Sequence, residues 1–352
     1  MKSFATIALT AVVIMLAAQP SSNAQPPPMP VPQPSPKALI SETIGISEVT
    51  VSYHRPGVKG RKVWGDLVPY GIVWRAGANE NTTVSFSSEV TVGGSTLPAG
   101  TYGLHMIPTE GNWTVIFSRN ATSWGSFFYK EAEDALRFKV KPVASEYHEW
   151  LQYEFSDLSD SSAILSLLWE KVRVPIALRF VTRKLVIDNA RDVYLRGLAG
   201  FSWQGFNQAA QYCLRNNMNL AEALNWANQS VAIAETFANL RTKAAILEKM
   251  GNTSEVASLR SKAMSIATEV DINTLGYTYL QAGNTKEAIA TFETNVKDHP
   301  NSWNVYDSLG EGLDAAGDTK GAIRNYEKAL KMVGDEVNKK RINEILTRLR
   351  VK

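Results

Sequence analysis

The pattern of apolar and polar residues changes once along the chain, close to residue 180. Before that position, short segments rich in valine, isoleucine, threonine and aromatic residues alternate with polar positions, and glycine, proline, asparagine or aspartate separates most of them. This pattern is typical of antiparallel strands joined by tight turns. The predicted strands are 48–53, 82–86, 90–92, 101–107, 113–117, 136–140, 150–155 and 163–169.

Helical periodicity does not interrupt these strands, so the first part of the chain predicts an antiparallel β-sandwich or barrel-like domain over residues 37–180. Its clearest hairpin is the segment VTVGGSTLPAGTYGL. Gly93 and Gly94 allow the positive φ angles of a tight turn, and Pro98-Ala99-Gly100 supplies a second turn.

From about residue 185 the pattern becomes helical and repeats itself every 34 residues, which is the tetratricopeptide period. The matched pairs are Leu275-Gly276 with Leu309-Gly310, Gly283 with Gly317, Ala288 with Ala322, and Phe292 with Tyr326. Pro300 ends the first unit, where this repeat usually carries proline. The stretch resembles tetratricopeptide repeats, and weaker copies at 219–224 and 247–256 extend the similarity upstream.

We therefore predict a C-terminal tetratricopeptide-like array over residues 202–352, with three to four helical hairpins and a capping helix at 336–349. A connecting helix is predicted within 181–201, and Ser202 is the candidate cap of the helix that follows. In each hairpin turn we expect a left-handed glycine to end the first helix and a threonine to cap the second.

The N-terminus carries the features of a cleaved secretory signal over residues 1–24. Lys2 precedes an apolar run at 4–18, which is shorter than a membrane span of roughly 20 residues, and small residues at 22 and 24 mark the cleavage site. An uncleaved anchor is the alternative. Residues 25–36 are dominated by proline and predict an extended tether. The expected location is periplasmic or secreted, with no membrane span once the signal is removed.

Composition and charge narrow the class of protein. Hydrophobic residues make up 44% and charged residues 20% of the chain, as in globular proteins, and a net charge of +3 gives no reason to expect a nucleic-acid partner. Cys213 is the single cysteine, so an internal disulfide and a lipid-modified N-terminal cysteine are both excluded. Its apolar surroundings predict a buried thiol rather than a nucleophile.

Residues 55–82 form a long segment, RPGVKGRKVWGDLVPYGIVWRAGANENT, that has no clear helix or strand period. Guanidinium groups bind carboxylates or phosphates, and indole rings stack on sugars or cations. A segment of this length between two strands is usually functional or disordered, and this one is too aromatic for disorder. We therefore predict a small anionic or carbohydrate ligand here. The candidate residues are Arg55, Lys59, Arg61, Trp64, Trp74, Arg75, Asn79 and Glu80.

Two alternatives exist for the same segment. In the first, it is a packed flap whose charges pair internally, Arg75 with Glu80 and Arg61 with Asp66, and the domain is purely structural. In the second, the protein is an envelope hydrolase whose members at this segment are Arg55, Arg75 and Glu80. The sequence favours a role without catalysis, because it contains neither a nucleophile elbow nor a Walker or dinucleotide-binding motif.

The four histidines of the chain make no metal-binding pair at close spacing. His54 and His105 lie in predicted strands and would need Glu80 as a third ligand, which nothing in the spacing requires. We predict no metal and no cofactor.

Five ordered motifs of the first half carry a family resemblance: SPKALISETIG, VTVSYHRPGVKGR, WGDLVPYGIVWRAGANENTTVSF, LPAGTYGLHMIP and WTVIFS. Together they resemble the secreted bacterial family called domain of unknown function 2911, which is found largely in Bacteroidota. The resemblance covers about residues 35–180 and implies an exported β-rich domain without an established activity.

Stacked helical hairpins form a concave groove, and such repeats resemble known platforms for peptides and partner proteins. The candidate partner-binding residues are Asn273, Tyr277, Asn304 and Asp307. The alternative is a stack that only supports the β domain. Taken together, the sequence predicts an interaction protein of the cell envelope.

Overall fold

The computed structural model of the chain describes Met29 and residues 31–351. The predicted signal, residues 1–24, lies outside the described residues, as does part of the predicted tether. The chain divides into two compact units. The β unit comprises the described residues up to Glu42, Glu48–Asp157 and Ala163–Leu178, and the helical unit comprises Thr43–Ser47, Leu158–Ser162 and the chain from Arg179 onward.

The predicted fold class is confirmed: antiparallel sheets come first and helices follow. The strands are β1 (Lys37–Ile44), β2 (Ser47–His54), β3 (Thr83–Phe86), β4 (Val90–Val92), β5 (Ser95–Leu97), β6 (Gly100–Ile107), β7 (Trp113–Ser118), β8 (Asp134–Val140), β9 (Val143–Ser156) and β10 (Ser162–Arg179). They form a six-stranded sheet in the order β1-β2-β3-β6-β7-β8 and a four-stranded sheet in the order β5-β4-β10-β9.

In β2 burial alternates along the sequence because every second side chain points into the core, whereas β7, inside the six-stranded sheet, is buried at every position. In β2, for example, Val49 and Val51 are fully buried while Glu48 is exposed. The two sheets meet at Tyr53 and Tyr153, whose rings pack edge to face with centroids 4.8 Å apart. The contact between residues of β2 and β9 is that of two sheets packed around one core.

Within the described residues, ten α-helices form the helical unit. They are α1 (Thr182–Asp192), α2 (Trp203–Asn216), α3 (Leu220–Ile233), α4 (Phe237–Lys249), α5 (Val256–Ser265), α6 (Glu269–Gln281), α7 (Thr285–Asp298), α8 (Trp303–Ala315), α9 (Thr319–Met332) and α10 (Glu336–Val351). Helices α2 to α9 pack as four consecutive hairpins, in agreement with the prediction, and α10 packs on α9. The predicted connection at 181–201 is α1 followed by two 3₁₀ turns.

The 34-residue repeat has a direct packing explanation. A Cβ atom added at Gly276 in α6 would lie 2.3 Å from the ring of Phe292 in α7, so only glycine lets these two helices approach. One repeat later, the corresponding position is Gly310, against Tyr326. The recurring glycine and aromatic residue are therefore one contact between the two helices of a hairpin, repeated along the stack.

The hairpin turns differ from the prediction in one respect. Gly283 and Gly317 have φ angles of +78° and +83°, so the expected left-handed residues end α6 and α8. However, α9 is capped by Asp318, whose side chain accepts a hydrogen bond from Gly321 N, and Thr319 is already the first helical residue. The aspartate outcompetes the threonine because its side chain precedes the helix and reaches the free amide groups of the first turn.

Ser202 caps α2 as predicted, since its side chain accepts a hydrogen bond from Gly205 N. Cys213 is fully buried in the core of the helical unit, and burial raises the pKa of its thiol to about 11. No helix in the described part of the chain is long and apolar enough to cross a membrane.

Candidate functional site

Residues 55–82 connect β2 to β3 and are held to both sheets by backbone hydrogen bonds. Val58 N donates to Glu149 O in β9 over 2.8 Å. Trp74 and Met106 of β6 exchange two backbone hydrogen bonds, each also 2.8 Å long. The segment is therefore a packed connection with a defined path across the β unit.

The two predicted tryptophans of this segment belong to a cluster of four indole rings. The edge of Trp64 packs on Trp74, Trp113 and Trp169, with centroid distances of 5.8, 4.7 and 5.6 Å, and Trp74 stacks on Trp169 at 5.9 Å. Trp74 Nε1 donates to Gly77 O. Since these rings contact one another, they stabilise the β unit as a core does.

Arg55 and Arg61 use their guanidinium groups to bind backbone carbonyls of the β unit. Arg55 Nε donates to Leu151 O over 2.9 Å. Arg61 donates to Val58 O from Nε (3.0 Å) and to Gly57 O from a terminal nitrogen (2.6 Å). The guanidinium N–H groups that make these hydrogen bonds are therefore not free to bind a ligand.

Three further candidates of the segment also bind neighbours in the β unit. Lys59 Nζ lies over the ring of Trp150, 5.9 Å from its centroid. Asn79 Nδ2 donates to Ser35 O over 3.3 Å. Glu80 is exposed and pairs with the buried His54, whose Nε2 lies 3.2 Å from a Glu80 carboxylate oxygen.

The internal ion pairs expected for a packed flap are not formed. Neither Arg75 with Glu80 nor Arg61 with Asp66 is among the salt bridges of the described residues, because Glu80 turns to His54 and Arg61 to backbone carbonyls. The three residues proposed for a hydrolase, Arg55, Arg75 and Glu80, likewise share no polar contact: each binds a different neighbour.

His105 does not join His54 and Glu80. Its Nδ1 lies 2.9 Å from Ser126 Oγ, and its ring packs against Tyr129. Burial lowers the pKa of His105 to about 4, so the imidazole is neutral at pH 7. The described residues contain no group of three or more histidine, cysteine or acidic side chains placed to hold a metal ion.

Arg75 differs from the other two arginines of the segment. One terminal nitrogen donates to Asn79 O over 3.2 Å, while Nε is buried and donates to no acceptor. Its guanidinium carbon lies 5.8 Å from the ring centroid of Phe127. Burial lowers the pKa of Arg75, because the charged form loses hydration.

Arg75 faces a pocket of about 260 Å³ on the β unit. The lining residues are Ile72, Val73, Trp74, Arg75, Ser126 and Phe127. Ser126 and Phe127 belong to the connection between β7 and β8, which sequence reasoning did not select. The available signal was its run of aromatic residues, WGSFFY, of which Trp124, Phe127 and Phe128 are exposed.

In the helical unit, α6, α8 and α10 line a second concave site. The cavity measures about 620 Å³. Its lining residues are Leu280, Glu311, Asp314, Ala315, Tyr326, Arg341, Glu344, Ile345 and Arg348. We call this site the groove. Apolar side chains form part of its wall, and charged groups from α8 and α10 surround its opening.

Polar contacts across the groove repeat at the period of the sequence. Tyr277 OH donates to a Glu311 carboxylate oxygen over 2.8 Å. Arg341 donates to Asp307 and Arg348 to Asp314, both over 2.9 Å. The two residues of each pair are 34 positions apart, so α10 takes the place of the first helix of a further repeat.

The four predicted partner-binding residues lie on α6 and α8, and none of them lines the cavity of the groove. Tyr277 contacts Glu311 of the lining as described, and Asn304 Nδ2 donates to Glu269 Oε1 over 3.2 Å. Asn273 Oδ1 and Asp307 Oδ1 are both buried and accept no hydrogen bond from the described residues. These two positions are 34 residues apart, so the same buried acceptor recurs in two neighbouring repeats.

Burial shifts the pKa values of two side chains beside the groove, Asp307 and Tyr277. It raises the pKa of Asp307, against the opposite effect of the hydrogen bond from Arg341. Burial also raises the pKa of Tyr277 to about 12, so this hydroxyl keeps its proton and acts as a donor. The charged groups that line the groove are three carboxylates (Glu311, Asp314 and Glu344) and two guanidinium groups (Arg341 and Arg348), and Asp307 lies behind Arg341 as its ion-pair partner.

Sequence reasoning missed Glu311, Arg341 and Arg348. The signal that would have found them is the 34-residue spacing continued into the last helix: Asp307 leads to Arg341, and Asp314 leads to Arg348. Because α10 carries many charges, it was interpreted as a solvent-facing cap, and its inner face was overlooked.

Comparison with solved structures finds similar helical proteins. MamA (residues 41 to the end) from Desulfovibrio magneticus RS-1 is 18% identical, with a TM-score of 0.28, and the match covers 42% of this chain and 84% of that chain. YrrB, described as a TPR protein with an unusual peptide-binding site, is 13% identical, with a TM-score of 0.27 and coverages of 46% and 84%. The C-terminal part of a TPR repeat-containing protein from Cytophaga hutchinsonii is 17% identical, with a TM-score of 0.28 and coverages of 43% and 59%.

A comparison with curated protein sequences found no match. The family model described as "Protein of unknown function (DUF2911)" matches residues 35–178, which confirms the resemblance predicted for this part of the chain.

Proposed function

We propose that this chain is an exported interaction protein of the cell envelope, and that its groove binds a segment of a partner protein carrying lysine or arginine. The observation that carries the proposal is the pair of exposed carboxylates in the lining, Glu311 and Glu344, which form no ion pair within the described part of the chain. A bound lysine or arginine side chain would supply the missing positive charge and charge-assisted hydrogen bonds.

The charges of the groove favour the same class of partner. Three carboxylates and two guanidinium groups line the groove, so the site has an excess of one negative charge. Arg341 and Arg348 are also more than 40% exposed at their side chains. Exposed ion pairs contribute little stability, so a partner can displace them at small cost.

The test is selection of binding peptides from a library of random ten-residue sequences, using the full chain. We expect enrichment of lysine and arginine, and the affinity of the selected peptides to fall with increasing salt. Glu311→Gln should weaken binding by roughly threefold to tenfold, as the loss of one charge-assisted hydrogen bond implies.

The matched control is Glu336→Gln on the outer side of α10, which removes the same charge from a side chain that is 87% exposed. It should leave the affinity unchanged. Selected peptides without basic residues, or an equal effect of the two variants, would refute the proposal.

Export belongs to the same proposal and is supported by the N-terminal sequence. When the full-length chain is produced in a Gram-negative bacterium, we expect the mature protein in the periplasm or medium, beginning at Gln25. N-terminal sequencing of the fractionated protein checks this, and an intact Met1 in the cytoplasmic fraction would contradict it.

We also propose that the β unit binds a small anionic ligand. Support comes from Arg75, which makes no ion pair within the described part of the chain, although its guanidinium group is partly desolvated. Binding of acetate or inorganic phosphate, followed by isothermal titration calorimetry and lost in Arg75→Ala, is the expected result. The indole rings of Trp64 and Trp74 favour an anion over a sugar, because they already stack within the tryptophan cluster.

A further inference from the structure

The partly buried guanidinium group of Arg75 has no anionic partner within the described part of the chain. The acceptor that it has there is a neutral carbonyl oxygen, and its buried Nε has none. Partial desolvation of a cation costs free energy, and a carboxylate bound beside it would offset part of that cost. Guanidinium and carboxylate have matching planar geometries, which allows two parallel hydrogen bonds.

The walls of the pocket beside Arg75 are apolar. Ile72, Val73 and Trp74 form one side and Phe127 the other. Ile72 and Phe127 are 59% and 78% exposed, so both side chains present apolar surface at the pocket that a ligand can cover. The volume of about 260 Å³ lies below the range of drug-sized sites, which begins at roughly 300 Å³, so the pocket suits a small molecule.

Ser126 places a hydroxyl group on the same pocket. Its Oγ lies 2.9 Å from His105 Nδ1, and His105 is buried. When neutral His105 donates from Nδ1 to Ser126 Oγ, the serine hydrogen is left free to donate to a ligand. Arg75 and Ser126 then present donors to the same anion.

We infer that this pocket binds a small organic carboxylate with an apolar body, whose carboxylate contacts Arg75 and Ser126 and whose apolar part lies against Ile72, Trp74 and Phe127. The inference rests on the anion site proposed for the β unit and adds the second requirement, the apolar body.

Three probes test the inference on the full, unaltered chain by isothermal titration calorimetry. They are 3-phenylpropanoate, which has charge and ring, 3-phenylpropan-1-ol, which has only the ring, and propanoate, which has only the charge. We expect 3-phenylpropanoate to bind at least about tenfold more tightly than either of the other two, since each loses one kind of contact. Equal affinities for the acid and the alcohol would overturn the inference.

Variants then assign the binding to the pocket. Arg75→Ala should abolish the preference for the acid over the alcohol, and Ser126→Ala should weaken acid binding by roughly threefold to tenfold. Lys62→Ala is the matched control, because it removes one exposed positive charge from the same segment and should change nothing. If Arg75→Ala does not fold, Ser126→Ala and the probe series decide.

The possible results distinguish the carboxylate pocket inferred here from the anion site on which it rests. Propanoate binding that depends on Arg75, with no gain from the phenyl ring, would refute the apolar pocket and leave the anion site intact. No binding of any acid, or acid binding that survives in Arg75→Ala, would refute both.

Discussion

Arg61 in the β unit and Arg348 in the helical unit both make hydrogen bonds of ordinary length, but their partners differ. Arg61 binds two backbone carbonyls within its own connection, at Gly57 and Val58. Arg348 binds the carboxylate of Asp314 on the neighbouring repeat, and its side chain is 58% exposed. The first guanidinium group satisfies fixed backbone acceptors, whereas the second makes an ion pair that water or a partner can replace.

The comparison shows that cationic residues do not identify a binding site by their number. Residues 55–82 carry five basic side chains, yet Arg55 and Arg61 are bound to carbonyls of the β unit. The groove has fewer cations, but its lining includes exposed charges, two of which, Glu311 and Glu344, form no ion pair within the described part of the chain. What distinguishes a candidate site is a polar group whose hydrogen bonds are incomplete.

The largest effect should come from removing a tryptophan that we consider structural. Trp169→Ala deletes a buried ring, 1% exposed, that stacks on Trp74, and is expected to destabilise the β unit by about 3–5 kcal/mol, the usual cost of truncating a large buried aromatic residue. Urea denaturation followed by tryptophan fluorescence measures the change.

Tyr70→Ala is the control for this prediction. Tyr70 is an aromatic residue of the same β unit and is 40% exposed, so its removal should cost less than about 1 kcal/mol. Equal destabilisation by the two variants would contradict a structural role of the tryptophan cluster.

A smaller effect is expected on the pH dependence of stability, which the protonation of His105 should control. Its pKa is about 4 in the folded state, below the ordinary value of 6.5, so between these values the unfolded chain binds more protons. Stability should therefore rise with pH across this window, and the loss on acidification should approach about 3 kcal/mol near pH 4. Urea denaturation at a series of pH values between 4 and 7 measures it.

His105→Asn should flatten this dependence, because the group that titrates is gone. His148→Asn, at a partly exposed position of β9, serves as control and should keep the slope. A pH dependence that persists unchanged in His105→Asn would show that other groups cause it.

The sequence predicted best those helices and strands whose contacts depend on the spacing of nearby residues. The helical repeats were visible because Gly276 and Phe292 meet within one hairpin, and the same contact recurs 34 residues later. The strands of the sheet interiors were predicted from their short runs of β-branched and aromatic residues between turn residues. Strand β1 and the first half of β9 were missed, since both are edge strands with few buried side chains, and β10 was predicted only as far as residue 169.

The candidate sites were predicted only in part, for a physical reason. Arg75 was selected from its own segment, but the pocket also requires Ser126 and Phe127, which lie some fifty positions away and reach it through the fold. The groove was predicted on α6 and α8, whereas Arg341 and Arg348 required the period to be followed into α10. Contacts between distant segments depend on tertiary packing, which residue types alone do not specify.

The smallest effect on stability is expected from substitution of Arg61 or Arg348. Arg61→Ala removes the side-chain hydrogen bonds to Gly57 O and Val58 O, although Val58 O keeps the backbone N–H of residue 61, and should lower the free energy of unfolding by about 1 kcal/mol. Arg348→Ala removes an exposed ion pair and should cost no more than about 0.5 kcal/mol. Arg348→Ala should nevertheless change the affinity for selected peptides, because it alters the charge of the groove, while Arg61→Ala should not. Urea denaturation and peptide titration on both variants separate the two roles, and a reversed pattern would show that the distinction between structural and exchangeable arginines is wrong.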